Sequence, residues 1–188
     1  VMNAQREIIY QQRRQVLDGE NINENILKMI ESLAEETVLN YAGHDEEINV
    51  ESLDTDIRNT FGIDMIDYIK ENSKNPNAIA EKLQKDALEK YENKEKEIGS
   101  EQLRELERVV MLKVVDQKWM DHIDAMDELK NGIGLRAYGQ QDPVVKYRME
   151  GMDMFDEMVT DIKYDVVKLL MNLRKQEEVK REEAAKIT

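Results

Sequence analysis

The sequence contains no cysteine, and its 188 residues include only two prolines and eight glycines. The lack of cysteine excludes disulfides, thiolate zinc sites and a cysteine nucleophile. So few prolines and glycines disfavour a protein of strands and tight turns, because those turns depend on these two residue types. The sequence also lacks a signal peptide and any apolar run near the ~18 residues that a membrane-spanning helix needs. These absences favour long helices in a reducing compartment.

Charge is what the sequence has in abundance. Charged residues make up 36% of the chain, and 41 acidic side chains against 27 basic ones give a net charge of −14. Nucleic-acid binding depends on clustered cations that contact phosphates, so an acidic chain of this kind predicts no nucleic-acid partner. Together with the apolar spacing described next, this composition predicts an all-α fold with much solvent contact.

Two segments in the first half of the chain differ in their apolar pattern. Residues 1–41 predict a long scaffold helix or helices, with a break or a kink at Gly19 and a second start at the capping-box pattern of Asn21. Residues 42–98 are more polar and weakly periodic, which predicts a small helical insertion. Because its pattern is weak, we expect this insertion to be dispensable for folding of the rest.

Helix ends can be placed at two Asx-Pro pairs. Asn75-Pro76 predicts a cap followed by a helix that runs to about Ile98, and Asp142-Pro143 predicts the start of another. A further helix is expected from Ser100 to about Asn131, where glycines begin. Residues 176–188 are mostly charged or small, which is typical of a frayed tail.

The strongest pattern lies in residues 99–175, where two heptad ladders mirror each other about Tyr138. This symmetry predicts an antiparallel two-helix hairpin packed like a coiled coil, with the scaffold helix against it. The predicted contacts pair Met126 with Met152 and His122 with Phe155. The predicted seam consists of Leu112, Val115, Trp119, His122, Met126, Met152, Phe155, Val159, Ile162 and Val166.

The candidate chemical sites within the hairpin are weak. Gly132, Gly134 and Gly139 lack the spacing of a dinucleotide fingerprint, and no Gly-Lys-Ser/Thr loop is present, so we expect no binding or hydrolysis of ATP. His122 has no second ligand at the helical spacing of a zinc or di-iron site, which favours a packed histidine and no metal.

The tip of the hairpin is the best candidate for a contact surface. Bases outnumber acids in residues 130–148 of this acidic chain, and Leu135 and Tyr138 lie among them. Loops held on rigid helices commonly carry function, although an ordinary loop with a stray aromatic residue fits the composition as well.

Three segments carry a resemblance to a known family. Lys118–Asp127 (KWMDHIDAMD) followed by Gly132–Pro143 (GIGLRAYGQQDP) resembles the two-helix finger of the SecA family of bacterial preprotein translocase motors. Val1–Tyr10 (VMNAQREIIY) resembles the start of the family's scaffold helix, and residues 42–94 correspond to its helical wing in place and character. The resemblance implies a scaffold, wing and finger fragment of a larger, bacterial, cytoplasmic protein that associates peripherally with the inner face of the cell membrane.

The resemblance also implies partners and site residues. The family uses ATP and Mg to drive unfolded preproteins through the SecYEG channel, but the nucleotide binds in motor ATPase domains elsewhere in the full-length chain, so no cofactor is expected here. The finger tip is implied to contact the translocating polypeptide and the channel mouth, through Leu135, Arg136, Ala137, Tyr138, Gly139 and Gln140.

Two departures and two alternatives accompany this resemblance. Relatives commonly have His where this chain has Gly134 and Ala where it has Gly139, so we expect a more flexible tip. The main alternative is a free-standing helical adaptor whose methionine-rich hairpin binds partner helices. A weaker alternative is a metal-dependent helical enzyme.

Overall fold

The structure is a computed structural model, and it describes residues 1–19, 22–43, 47–136, 142–174 and 183–187, with only the backbone of Arg136. Every secondary-structure element in these ranges is an α-helix, which confirms the prediction of an all-α fold. No helix in the described ranges combines the length and the apolarity required to span a membrane. The helices are α1 (Met2–Asp18), α2 (Ile22–Leu39), α3 (Val50–Phe61), α4 (Ile66–Glu71), α5 (Pro76–Ile98), α6 (Ser100–Arg136) and α7 (Pro143–Met171), followed by a short helical stretch at 183–187.

The predicted scaffold segment over 1–41 consists of two helices that are separated at Gly19. Gly19 has φ 72° and ψ 11°, and its N–H donates to the carbonyl of Val16 at 3.1 Å, which closes the last turn of α1. A side chain with a Cβ atom is disfavoured in this left-handed conformation by about 1–2 kcal/mol, so a glycine is suited to end the helix here. The capping box predicted at Asn21 lies outside the described residues.

Side-chain caps start α5 and α7 where the sequence predicts them. The side-chain oxygen of Asn75 accepts a hydrogen bond from the N–H of Ala78 at 3.3 Å, and that of Asp142 accepts one from the N–H of Val144 at 3.0 Å. Both helices begin with a proline, whose missing N–H removes one of the donors that a helix start leaves unpaired. These contacts confirm both predicted starts.

The end of α6 differs from the prediction, since the helix continues through Gly132 and Gly134 to Arg136 instead of ending near Asn131. Each glycine costs only about 1 kcal/mol relative to alanine in a helix. Ile133 between them is buried in a cluster with Met126 and Leu129, and this burial offsets the cost.

The chain divides into two compact units, each made of two segments. The first unit comprises Val1–Ile22 and Arg108–Val166, and the second comprises Asn23–Glu107 and Val167–Thr188. The first unit therefore contains α1 and most of the hairpin of α6 and α7. The second contains α3, α4 and α5, nearly all of α2, the start of α6 and the end of α7.

The second unit has an apolar core to which α2, α3, α4, α5, the start of α6 and the end of α7 contribute. The fully buried side chains include Ile26, Ile30 and Val38 of α2, Leu53, Ile57 and Phe61 of α3, Ile69 of α4, Ile79, Leu83 and Ala87 of α5, Leu103 of α6, and Val167, Leu170 and Met171 of α7. Hydrogen bonds add to this packing: Gln84 donates to the carbonyl of Glu31 at 3.1 Å, and Asn172 donates to that of Thr60 at 3.0 Å. The segment 42–98 thus shares its core with the helices that precede and follow it.

Two lysines of α5 bind helix ends within this unit. Lys90 donates to the carbonyls of Phe61 and Gly62 at 2.6 and 3.1 Å, and Lys94 donates to the carbonyl of Leu173. A cation is favoured here because helix carboxyl ends carry partial negative charge. Burial, with a smaller effect of Lys94, lowers the pKa of Lys90 to about 8. Gly62 has φ 64°, and a Cβ atom on it would lie only 2.6 Å from the Lys90 ammonium.

This shared core contradicts the expectation that the insertion is dispensable. Replacing residues 42–98 by a short Gly/Ser bridge should abolish protected structure in α2, because α2 would lose the surface against which Ile26, Ile30 and Val38 are buried. Amide hydrogen exchange measured by mass spectrometry, with circular dichroism during heating, checks this result. Wild-type protection of the α2 amides in the deletion variant would contradict it.

Candidate functional site

Three contacts define α6 and α7 as an antiparallel hairpin within the first unit. The rings of His122 and Phe155 lie 5.8 Å apart in an edge-on arrangement, and Lys118 forms an ion pair with Asp165 at 3.2 Å. Farther towards the tip, Met126 contacts Gly151: a Cβ atom on this glycine would lie 2.9 Å from Met126 Cε. Residue numbers fall along α6 as they rise along α7, so the two helices run in opposite directions.

Most of the predicted seam residues lie in the interior of this unit. Val115, Trp119, His122, Met126, Ile162 and Val166 are buried, and Leu112 and Phe155 are half-buried. The prediction is wrong for Met152 and Val159, whose side chains are 63% and 45% exposed. Gly151 and Met158 occupy the buried positions in their place, one residue earlier along α7.

The physical reason for this error is the missing side chain of Gly151. A search for apolar side chains cannot count a glycine as part of a seam, although its lack of a Cβ atom lets Met126 approach the α7 backbone. The pattern of apolar side chains therefore assigns Met152 to the seam. In the structure the buried positions of this face are instead Gly151, Met158 and Ile162.

A polar contact joins α1 to both helices of the hairpin. The buried side chain of Gln5 donates through Nε2 to the carbonyl of Gly151 at 3.1 Å, and its Oε1 lies 2.7 Å from His122 Nε2. A carbonyl can only accept, so the amide nitrogen of Gln5 must face Gly151 and its oxygen must face His122. His122 therefore carries its proton on Nε2 and donates it to Gln5.

The surroundings of His122 predict how the stability of the first unit depends on pH. Burial lowers the pKa of His122 below its ordinary value of about 6.5, because it disfavours the charged ring. The unfolded state therefore binds more protons than the native state just below pH ~6.5. The free energy of unfolding of the first unit should fall as the pH drops through this window.

Comparison with a His122→Asn variant isolates this effect, because groups common to both proteins contribute equally to each. We expect the difference in unfolding free energy to be constant above pH ~7 and to change in favour of the variant below about 6.5. Urea unfolding at a series of pH values and NMR titration of the ring provide the measurements. A ring that titrates above the ordinary histidine value would contradict the burial argument.

An apolar cluster extends the packing towards the tip. Met126, Leu129 and Ile133 are buried on α6, and Met2, Tyr147 and Met154 pack against them. Beyond this cluster lies an open cavity of about 440 Å³ that is mainly apolar and has one nearby cation. It is lined by Val1, Met2, Asn3, Lys130, Ile133, Pro143, Val144 and Tyr147.

Only the first part of the predicted tip can be placed. Leu135 is 85% exposed near the end of α6, and α6 ends at Arg136. Ala137, Tyr138, Gly139 and Gln140 lie outside the described residues, as does the side chain of Arg136. The structure therefore brings a rigid helix to the start of the tip and presents an apolar side chain there.

Sequence reasoning missed Gln5 and Gly151. Gln5 occupies the same helical face as Met2, Ile9 and Val16, and a polar residue within an apolar stripe is a usable signal of a buried hydrogen bond. Gly151 in the interior of an otherwise good helix is the matching signal. Among the described residues, no group of acidic or histidine side chains is arranged to hold a metal ion.

Comparison with known proteins places these features in one family. Residues 1–174 match the family model of the SecA wing and scaffold domain. Similar curated proteins include the protein translocase subunit SecA of Alkaliphilus oremlandii, which is 43% identical over 189 residues, or 99% of this chain and 21% of the relative. The corresponding subunit of Clostridium perfringens is 46% identical over 196 residues, or 100% of this chain and 23% of the relative.

A third relative, protein translocase subunit SecA 1 of Clostridioides difficile, is 48% identical over 182 residues, which cover 96% of this chain and 20% of the relative. The chain thus spans about a fifth of the length of these curated relatives. The match to the family model and the identity along nearly the whole chain have one conclusion: this chain belongs to the SecA wing and scaffold domain family.

Proposed function

We propose that this chain is the scaffold, wing and finger portion of a SecA motor that drives unfolded preproteins through the SecYEG channel. The observation that carries the proposal is the similarity of the whole chain to translocase subunits. The division into a scaffold over 1–41, a wing over 42–98, a finger over 99–175 and a charged tail over 176–188 belongs to this proposal. So does a location on the cytoplasmic side of the membrane, with peripheral association.

In this proposal the chain has a mechanical role and no catalytic one. Its sequence carries neither kind of phosphate-binding loop, so ATP and Mg act in the motor domains of the full-length chain. The finger transmits movement because its interior is well fixed: the rings of Trp119, His122 and Phe155 contact one another in sequence, and Gln5 binds both helices. From Leu112 to Arg136, α6 extends about 36 Å, so a tilt at its base would move the tip.

The tip is proposed to contact the translocating polypeptide and the channel mouth through residues 135–140. An aromatic ring suits contact with unrelated chains, because it offers a large apolar area and has few rotatable bonds to immobilise. The exposure of Leu135 adds a second apolar side chain at this end of the hairpin. We propose that Tyr138 makes the main contact with the translocating polypeptide.

Replacing Tyr138 by alanine in the full-length protein should lower the rate of preprotein transport about tenfold, the effect of losing one aromatic contact of about 1.4 kcal/mol. Helicity and melting temperature should not change, and basal ATP hydrolysis should persist. Tyr138→Phe is the matched control and should retain most of the transport. Normal transport by the alanine variant would refute the contact, and unfolding of the hairpin would make Tyr138 a structural residue instead.

A further inference from the structure

A second cavity of the first unit lies between α6 and α7, has a volume of about 220 Å³ and opens to solvent. Each helix lines it with four side chains at positions i, i+3, i+4 and i+7, which share one helix face over two turns. The floor consists of His122 and Met158, which are buried, and of Ala125 and Met154, which are half-buried. The cavity is thus part of the hairpin, and α1 does not line it.

Three carboxylates surround this floor, and we call the space between them the acidic cavity. Asp121 of α6 and Glu157 and Asp161 of α7 are exposed, whereas Lys118 at the same wall forms an ion pair with Asp165 at 3.2 Å. Within the described part of the chain, no group donates a hydrogen bond to Glu157 or Asp161. The acidic cavity therefore carries an excess of negative charge.

The buried ring of His122 supplies a fourth acceptor to the acidic cavity. Its Nε2 donates to Gln5 of α1, so the opposite ring nitrogen, Nδ1, carries a lone pair. Among the described residues Nδ1 has no hydrogen-bond partner, yet it is not one of the polar atoms that are sealed in the interior without a partner. Because His122 lines the cavity, its Nδ1 faces this space and needs a donor there.

These acceptors favour a ligand that is positively charged and has several donors. An alkylammonium ion has three N–H donors, whereas an alkylguanidinium ion has five in a planar fork that fits carboxylates. Its apolar stem can lie along the methionines of the floor, as the stems of long cationic side chains do on apolar surfaces. A metal ion fits less well, since no group of acidic or histidine side chains in the described ranges is arranged to hold one.

We propose that the acidic cavity binds an alkylguanidinium ion, the group that arginine side chains carry. Glu157 and Asp161 are neighbours on one face of α7, four residues apart, and accept the N–H groups of the guanidinium. Asp121 adds negative charge from α6, and a further N–H donates to His122 Nδ1. The stem packs on Met158. This inference does not depend on the proposed transport function, because it uses only residues of the hairpin.

NMR titration of the full 188-residue chain with butylguanidinium, at about pH 7.5, tests the site. We expect saturable binding with a dissociation constant on the order of 1 mM, and a shift of the His122 Nδ1 signal that leaves the Nε2 signal nearly unchanged. Butylurea, a neutral analogue of similar shape, should bind at least about tenfold more weakly, because it lacks the charge. Absence of saturation, or equal binding of butylurea, would overturn the proposal.

Substitutions of the carboxylates test where the ligand binds. Glu157→Gln and Asp161→Asn should each weaken butylguanidinium binding at least about fivefold, since each removes a charged acceptor. Asp156→Asn is the matched control, because Asp156 is exposed beside Glu157 on α7 but does not line the cavity, and it should change the dissociation constant less than about twofold. Circular dichroism confirms that the variants are folded. Equal losses in all three variants would mean a general attraction to acidic surface and would overturn the site.

A second probe distinguishes two sources of the same group. The blocked peptide acetyl-glycyl-arginyl-glycinamide presents arginine as a protein partner does, whereas butylguanidinium presents it as a small molecule does. Binding of the peptide that is tighter by more than about threefold would indicate an arginine of a protein partner, and equal or weaker binding would indicate a free ligand. Either result supports the site, and failure of both probes to bind would overturn it.

Discussion

Replacing Glu107 by alanine is expected to lower the free energy of unfolding of the second unit by about 2–4 kcal/mol, because it removes the buried acceptor of Tyr91 and Asn23 and the charge opposite the partly exposed Arg104. The carboxylate of Glu107 is fully buried where α2, α5 and α6 meet. It accepts hydrogen bonds from the Tyr91 hydroxyl at 2.6 Å and from Asn23 at 3.1 Å, and Arg104 Nε lies 2.7 Å from its second oxygen. Substitution by alanine would remove the carboxylate that all three of these side chains contact.

The neighbourhood of Glu107 makes the loss hard to compensate. Tyr91 is itself almost completely buried, and burial together with its bond to Glu107 raises its pKa, so the hydroxyl remains a neutral donor that needs an acceptor. Arg104 would retain its contact with Glu95 at 2.8 Å but lose the carboxylate of Glu107. An unpaired buried donor costs the full loss of its solvation, about 1–3 kcal/mol for a neutral group.

Urea unfolding followed by circular dichroism measures this effect. Glu101→Ala is the matched control, because Glu101 is exposed on the same helix, and we expect a change below about 0.5 kcal/mol. Glu107→Gln should fall between the two, since it keeps an acceptor for Tyr91 but loses the charge opposite Arg104. A stability loss below 1 kcal/mol for Glu107→Ala would mean that water replaces the carboxylate.

Replacing Trp119 by alanine should lower the free energy of unfolding of the first unit by about 3–5 kcal/mol, because truncation of a buried aromatic residue leaves a cavity. Trp119 is 6% exposed, and its ring lies 5.5 Å from that of His122, which in turn contacts Phe155. His122, the neighbour of Trp119, is held by its contact with Gln5 at 2.7 Å and cannot move into the space without breaking it.

Met120→Ala is the control for Trp119→Ala, since its exposed side chain adjoins Trp119 in sequence and should change stability by less than about 0.5 kcal/mol. Fluorescence is unsuitable as a probe, because Trp119 is the chain's only tryptophan. Melting followed by circular dichroism serves instead. An unchanged melting temperature for Trp119→Ala would contradict the buried position.

The helices and their starts were predictable because their signals are local. The Asn75 and Asp142 caps depend on bonds within one turn, and each is followed by a proline that suits the first helical position. The seam of α6 was predictable for a similar reason, since apolar side chains recur there at heptad spacing. On α7 the same search chose Met152 instead of Gly151, because a glycine contributes to packing through the absence of a side chain.

The core of the second unit could not be predicted from periodicity. Individual helices such as α3 carry apolar stripes, but a stripe does not show which other helix covers it, and α4 contributes only Ile69, too little to form a pattern. Glu107 is the clearest case, because a glutamate in a charged helix is typical of a solvated face. Its burial depends on Tyr91 and Asn23, which lie far away in sequence, and only the tertiary structure brings them together.

The Gln5 contact has a mechanical consequence for the hairpin. Apolar contacts have little directional preference, whereas the two hydrogen bonds of Gln5 are directional and end on atoms of different helices, Gly151 O and His122 Nε2. A slip of α1 along the hairpin by one turn, about 5.4 Å, would break both bonds and leave the buried side chains of Gln5 and His122 without these partners. The Gln5 contact thus fixes the position of α1 along the hairpin, so a force applied to α1 moves α6 and α7 together with it.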